Sequence, residues 1–226
     1  MITATVATVE PEDLIGLPRI GTDEAGKGDY FGDLVVAGVY FDQMADPLAT
    51  LLGVKDSKKL TDKQSIEIAR KIQEAYPVEV VRISPAKYND IYEKMKNLNH
   101  LLVWAHARVI ENLLSRTGAG LVITDKFCNA SLLENAMMNS GRQVKLVQIT
   151  KGERDLAVAA ASIVARATFL QRMDALSKEI GVTLPKGATH VLPTGRQLYA
   201  QGGLPLLRQV AKLHFKTTDQ IVTGCK

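Results

Sequence analysis

Apolar positions along this chain alternate between a period near two and a period near 3.6, and each switch marks an element. From Arg19 the run RIGTD reads as a strand, followed by a Gly-rich turn and a second strand, LVVAGVYF, over Leu34–Phe41. The turn is short enough to join an antiparallel pair. A helix is predicted from Asp62 to Tyr76, where Ile66, Ile68, Ala69 and Ile72 fall near one face. VEVVRIS, Val78–Ser84, alternates as a half-buried strand does. A long helix follows over Asn99–Arg116, striped by Leu102, Ala105, Val109 and Leu113.

Two further strands are predicted, GLVITD at Gly120–Asp125 and QVKLVQIT at Gln143–Thr150, with a brief helix near Leu132–Met138 between them. From Asp155 an Ala-rich helix begins, its small side chains suited to close packing on a sheet. Past Gly181 come a Pro/Gly-rich loop and two amphipathic stretches ending near Phe215. Early strands followed by α/β alternation predict a three-layer α/β fold with a mixed central sheet flanked by helices, spanning residues 19–226. Residues 1–18 read as a loosely attached lead-in.

Composition narrows the class without naming the chemistry. The chain has 226 residues, 46% hydrophobic and 23% charged, as expected of one globular domain. Its longest apolar run, Leu156–Ala165, is about half of what a bilayer requires, so no membrane role is expected. Two cysteines, Cys128 and Cys225, make neither a disulfide framework nor a zinc site, which fits a reduced, cytoplasmic setting. A net charge of +4 permits a nucleic-acid partner but does not demand one.

The candidate chemistry starts in GTDEAGKGDYFG, Gly21–Gly32. Gly21, Gly26 and Lys27 nearly match a phosphate-binding loop, which would make the chain an ATP-binding protein. Gly28, however, replaces the magnesium-holding hydroxyl, Asp23 and Glu24 would repel a phosphate, and a strand rather than a helix is predicted next. The carboxylates suggest a different site. Asp23 and Glu24 stand at one strand's end, Asp125 ends another, and KGERD puts Glu153 or Asp155 after a third. Converging on one sheet edge, such acids would repel one another unless divalent metal bound them, and two ions ~3.5–4 Å apart would clamp an in-line phosphoryl displacement.

Seven ordered stretches carry a resemblance: DEAGKGDYFG, GVKDSKKLTD, NLNHLLVWAHARVIENLL, VITDKF, TKGERDLAVAAASIVARATFL, LPKGATH and KLHF. Over residues 19–216 the chain resembles the type 2 ribonucleases H, ribonuclease HIII more than ribonuclease HII. The resemblance implies a ribonuclease H-like fold and hydrolysis of the RNA strand of RNA/DNA hybrids. It also implies two Mg2+ or Mn2+ ions and 5′-phosphate and 3′-hydroxyl products. Carried over by motif, Asp23, Glu24 and Asp125 are metal-binding catalytic acids, with Glu153 the natural fourth. The interval from Glu153 to the AAAS run is one residue shorter than in the family, so Asp155 remains an alternative. Asp33, where the family has proline, is expected to be structural or peripheral.

The same resemblance assigns substrate contacts. Gly26, Lys27 and Gly28 take the place of a Gly-Arg-Gly whose backbone reads ribose 2′-hydroxyls, the group that distinguishes RNA from DNA. Ser57, Lys58 and Lys59, with Lys55, are expected on phosphates, as is Lys186. Ala188 occupies a position where ribonuclease HII has a tyrosine, which argues against efficient cleavage at a single embedded ribonucleotide. The family's N-terminal substrate-binding domain is expected to be absent, and the protein to act as a monomer. His106, Trp104 and Tyr30 are expected to pack, and His190 is balanced between substrate contact and none. Junction cleavage like that of ribonuclease HII and hybrid binding without catalysis are the competing expectations.

Overall fold

Among the described residues, six strands form one sheet in the order β1-β6-β5-β2-β3-β4. They are β1 (Thr3–Thr5), β2 (Arg19–Ala25), β3 (Leu34–Phe41), β4 (Val78–Ile83), β5 (Leu121–Asp125) and β6 (Lys145–Ile149). β1, β6, β5 and β2 run parallel. The eight-residue link between neighbouring β2 and β3 is too short for a crossover, so the sheet is mixed as predicted. This computed structural model describes residues 3–5, 14, 16–54, 60–128, 130–137 and 144–224. The chain divides into two compact units: Met1–Glu24 with Val36–Val81 and Asn99–Ala167, and Ala25–Val35 with Arg82–Leu98 and Thr168–Lys226.

In the first unit the sheet carries helices α1 (Ala45–Leu51), α2 (Asp62–Ala75), α4 (Leu98–Arg116), α5 (Ala130–Ala136) and the first part of α6 (Leu156–Ile180). Gly21 decides how α6 meets the sheet. A Cβ there would overlap the backbone of Ala157 and Val158, so the helix lies directly against β2. The fully buried Ala157, Ala159, Ala160 and Ala161 show what the Ala-rich run is for. α6 is long and apolar enough to cross a membrane, but most of its apolar stretch is buried inside the protein. Gly21→Ala is expected to cost about 1–3 kcal/mol or more, as overpacking does, read as a lowered denaturation midpoint.

Gly38 plays the same part for α4: a Cβ on β3 would meet Val109, Leu113 and the methyl of Thr22. At its N-terminus α2 is closed by a capping box, Thr61 and Gln64 each receiving the other's amide, at 2.9 and 3.3 Å. The lead-in proves more attached than its composition suggested. Thr3–Thr5 pairs with Lys145–Val147, and Leu14 joins Ile123, Val147, Ile149 and Val158 in a buried cluster. A three-residue edge strand is too short to show a period, so the pattern could not reveal it. Trp104, expected to pack, is instead 41% exposed.

The second unit holds α3 (Pro85–Met95), the rest of α6, α7 (Leu192–Val210) and α8 (Lys216–Thr223). The predicted third strand ends one residue early because Ser84 caps α3, with Pro85 in its first turn. α7 breaks at Gly203, whose φ of 62° and ψ of −156° are non-helical. Asp33 is fully buried, and Arg82 Nε lies 3.2 Å from its Oδ2. Tyr30 is buried as expected, its hydroxyl 3.2 Å from Thr218 Oγ1. Lys212 is buried too, its ammonium donating to the carbonyls of Asp29 at 2.9 Å and Gly32 at 2.7 Å. Desolvation pushes that ammonium down to about 8.

Candidate active site

Strand alternation determines where each acid points. On β2, Gly21 and Asp23 share one face while Thr22 and Glu24 share the other. The first face lies against α6, from which the Ser162 hydroxyl donates to the Asp23 carboxylate. The second lies against α4. There Thr22 Oγ1 is 2.9 Å from His106 Nδ1, and His106 Nε2 is 3.3 Å from Glu24 Oε2. Two adjacent acids thus reach from opposite sides of one strand end.

β5 lies beside β2 in parallel, with Thr22 opposite Thr124. Asp23 and Asp125 are the next residues on each strand, so about one strand spacing, ~4.8 Å, separates their backbones and both side chains leave on the same face. Asp125 Oδ1 accepts the amides of Lys126 at 3.0 Å and Gly152 at 3.1 Å. Gly152 opens a single 3₁₀ turn, Gly152–Arg154, at the end of β6, and a Cβ on it would come within 3.0 Å of the Asp125 backbone. Glu153 is therefore delivered by the residue that touches Asp125.

Asp155 is differently engaged. It is 1% exposed, and its Oδ1 accepts the amides of Ala157 and Val158 at 2.9 and 3.1 Å, capping α6. Its Oδ2 receives Arg19 Nε at 2.7 Å. Both oxygens are committed to the fold.

Burial, and next the charge of Glu24, push the Asp23 carboxyl up to about 7, with Asp125 adding to the rise. The acids meet as neighbouring pairs; among the described residues no three His, Cys, Asp or Glu side chains are gathered into a ready-made metal cluster. The donor set is all oxygen, the chemistry of hard divalent cations, and a positive charge there would relieve the strain that raises Asp23. The residues present fit such an ion.

Expected substrate residues fall in the second unit or outside the described residues. Lys55, Ser57, Lys58 and Lys59 lie outside them. Gly26 is buried with a φ of +84°, and a Cβ on it would overlap the Asp33 carbonyl, so the fold itself requires this glycine. Gly28 is exposed, with nothing within 4 Å of where a Cβ would stand. Only the second glycine of the pair keeps space clear. Lys27 is partly buried, and Lys186 and His190 are exposed. The amide of Gly187, next to Lys186, donates to Asp29 Oδ1 at 2.6 Å and so ties its loop to the one carrying Gly28. After Lys27 the chain proceeds to β3, not to a helix, and the phosphate-loop resemblance fails.

A family model for Ribonuclease HII matches residues 20–218. The chain belongs to the type 2 ribonucleases H. It is 45% identical to Ribonuclease HIII of Protochlamydia amoebophila over 206 residues, covering 91% of this chain and 68% of that protein. It is 42% identical to Ribonuclease HIII of Chlamydia pneumoniae across 98% of this chain and 75% of that one. Among solved structures, Bst-RNase HIII in complex with Mn2+ superposes with a TM-score of 0.89 at 32% identity, over 96% of this chain and 73% of its own. As a ribonuclease H, the chain is a hydrolase. Sequence reasoning missed two contacts in its acidic site. Ser162 reaches Asp23 from the Ala-rich helix, where nothing in the pattern singled it out, and His106, expected only to pack, reaches Glu24 from α4.

Proposed function

We propose that the protein hydrolyses the RNA strand of RNA/DNA hybrids endonucleolytically, with Asp23, Glu24, Asp125 and Glu153 holding two divalent ions, Mg2+ or Mn2+. The observation that carries this is the parallel register that places Asp23 beside Asp125. Bound there, divalent ions would supply Lewis acidity at the scissile phosphate, and the hydrolysis would leave 5′-phosphate and 3′-hydroxyl ends. The chain's own residues fix the ligands. Ser162 and the Glu24 amide hold Asp23, and two amides hold Asp125. Mn2+ in the related Bst-RNase HIII structure supports the metal assignment. Asp155 is left to structure, since both its oxygens are already taken.

Gly26, Lys27, Gly28, Ser57, Lys58, Lys59 and Lys186 bind the hybrid, with open space at Gly28 admitting a sugar-phosphate backbone. Gly28→Ala is expected to raise KM for the hybrid several-fold at unchanged melting temperature, because its Cβ meets no protein atom. An unaltered KM would remove Gly28 from the interface. The protein acts as a cytoplasmic monomer. The deciding experiment compares a continuous RNA strand with a single embedded ribonucleotide, each paired to DNA, in Mg2+ and in Mn2+. Preferential cleavage of the continuous RNA supports the ribonuclease HIII assignment; efficient junction cleavage transfers the protein to the ribonuclease HII type. Absence of cleavage with both ions leaves only a hybrid-binding role.

A further inference from the structure

His106 is 1% exposed, on the face of α4 that meets the sheet. Both ring nitrogens are used. Nε2 faces Glu24 Oε2 at 3.3 Å, Nδ1 faces Thr22 Oγ1 at 2.9 Å, and the ring stacks on Phe127 with centroids 4.4 Å apart and planes at 23°. An ionised carboxylate only accepts hydrogen bonds, so Nε2 must carry the proton it shares with Glu24. Nδ1 of a neutral ring then accepts from the Thr22 hydroxyl, and this hydrogen bond holds that tautomer. The three partners come from the acidic site itself. Thr22 and Glu24 flank Asp23, and Phe127 lies two residues beyond Asp125. One imidazole therefore braces the ends of both acid-bearing strands.

We propose that His106 is a positioning residue, whose Nε2–H orients the Glu24 carboxylate for a divalent ion while Thr22 and Phe127 fix the ring. This rests on the assignment of Glu24 as a metal ligand. A buried histidine serving only to fill space would need the size of the ring and neither nitrogen. Hydrogen bonds from such partners to ligating carboxylates are worth about 10–100-fold in metal affinity.

The test measures Mn2+ binding by titration calorimetry, together with cleavage of an RNA/DNA hybrid across a range of Mn2+ concentrations. Wild type, His106→Leu, His106→Gln and Thr22→Val are compared, each checked for melting temperature. His106→Leu should weaken Mn2+ binding by about 10–100-fold and shift the metal dependence of cleavage equally, with KM for the hybrid unchanged. His106→Gln, whose amide reaches as far as Nε2, should recover most of the affinity. Thr22→Val, which frees the ring's other nitrogen, should fall between them and keeps the test open if a His106 variant does not fold. Wild-type affinity in folded His106→Leu, or equal losses in Leu and Gln variants, overturns the positioning role and leaves the metal assignment standing. Failure of the wild type to bind Mn2+ overturns both.

Discussion

Asp23→Asn and Asp125→Asn should each reduce hybrid cleavage by about 10³-fold or more, since a divalent ion's share of such a barrier is several kcal/mol. Folding should survive. Asp23 is held on the strand face against α6, where burial and Glu24 raise its carboxyl to about 7, so its charge is a cost to the metal-free fold. The sign follows from proton linkage. Below about pH 4 the group is protonated in both folded and unfolded chains. Between about 4 and 7 the unfolded chain has already released the proton while the folded one keeps it, so stability falls as pH rises. In chelator, melting curves of the wild type should show that decline, and Asp23→Asn should lack its share of it. Added Mn2+ should then stabilise the wild type above pH 7 and the variant far less. Full cleavage activity in either Asn variant would remove that aspartate from the catalytic set.

Much of this site could be read from the chain because it is written in strand endings. RIGTD and LVITD each carry a short apolar or Thr run to an aspartate, and parallel strands buried on both faces produce such runs. The sheet's mixed character followed from the short Gly-rich turn after β2. What the pattern could not carry was register and long-range pairing. That Thr22 stands opposite Thr124, placing Asp23 beside Asp125, depends on two strands about a hundred positions apart. His106 was expected only to pack because its partners, Thr22 and Glu24, are 84 and 82 residues away. α3 was missed although Ser84-Pro85 is a helix start, because the face it buries, Pro85, Tyr88 and Asn89, is too polar to show as an apolar stripe. α8, with eight residues, is too short for a periodic signal.

The choice between Glu153 and Asp155 shows why a motif with two acids needs the fold to separate them, and it yields the second large expected effect. Arg19 is 1% exposed and forks between two carboxylates, with Nη2 at 2.6 Å and Nη1 at 3.1 Å from Asp46 and Nε at 2.7 Å from Asp155. Against the opposing effect of burial, Arg19 and the Gly16 amide hold the Asp46 carboxyl below its ordinary range. Arg19→Met should therefore cost about 3–5 kcal/mol, because it strands two buried carboxylates without their cation. Asp155→Asn should cost less, since an asparagine oxygen still caps α6 and Arg19 keeps Asp46. Glu153→Gln should do the reverse of both, leaving the denaturation midpoint in place and abolishing cleavage. Denaturant titration and hybrid cleavage at a temperature where all three variants are folded distinguish these roles. If Asp155→Asn kept its stability and lost cleavage while Glu153→Gln remained active, the fourth acid would be Asp155, and the Arg19 pair would belong to the catalytic machinery rather than to the frame beneath it.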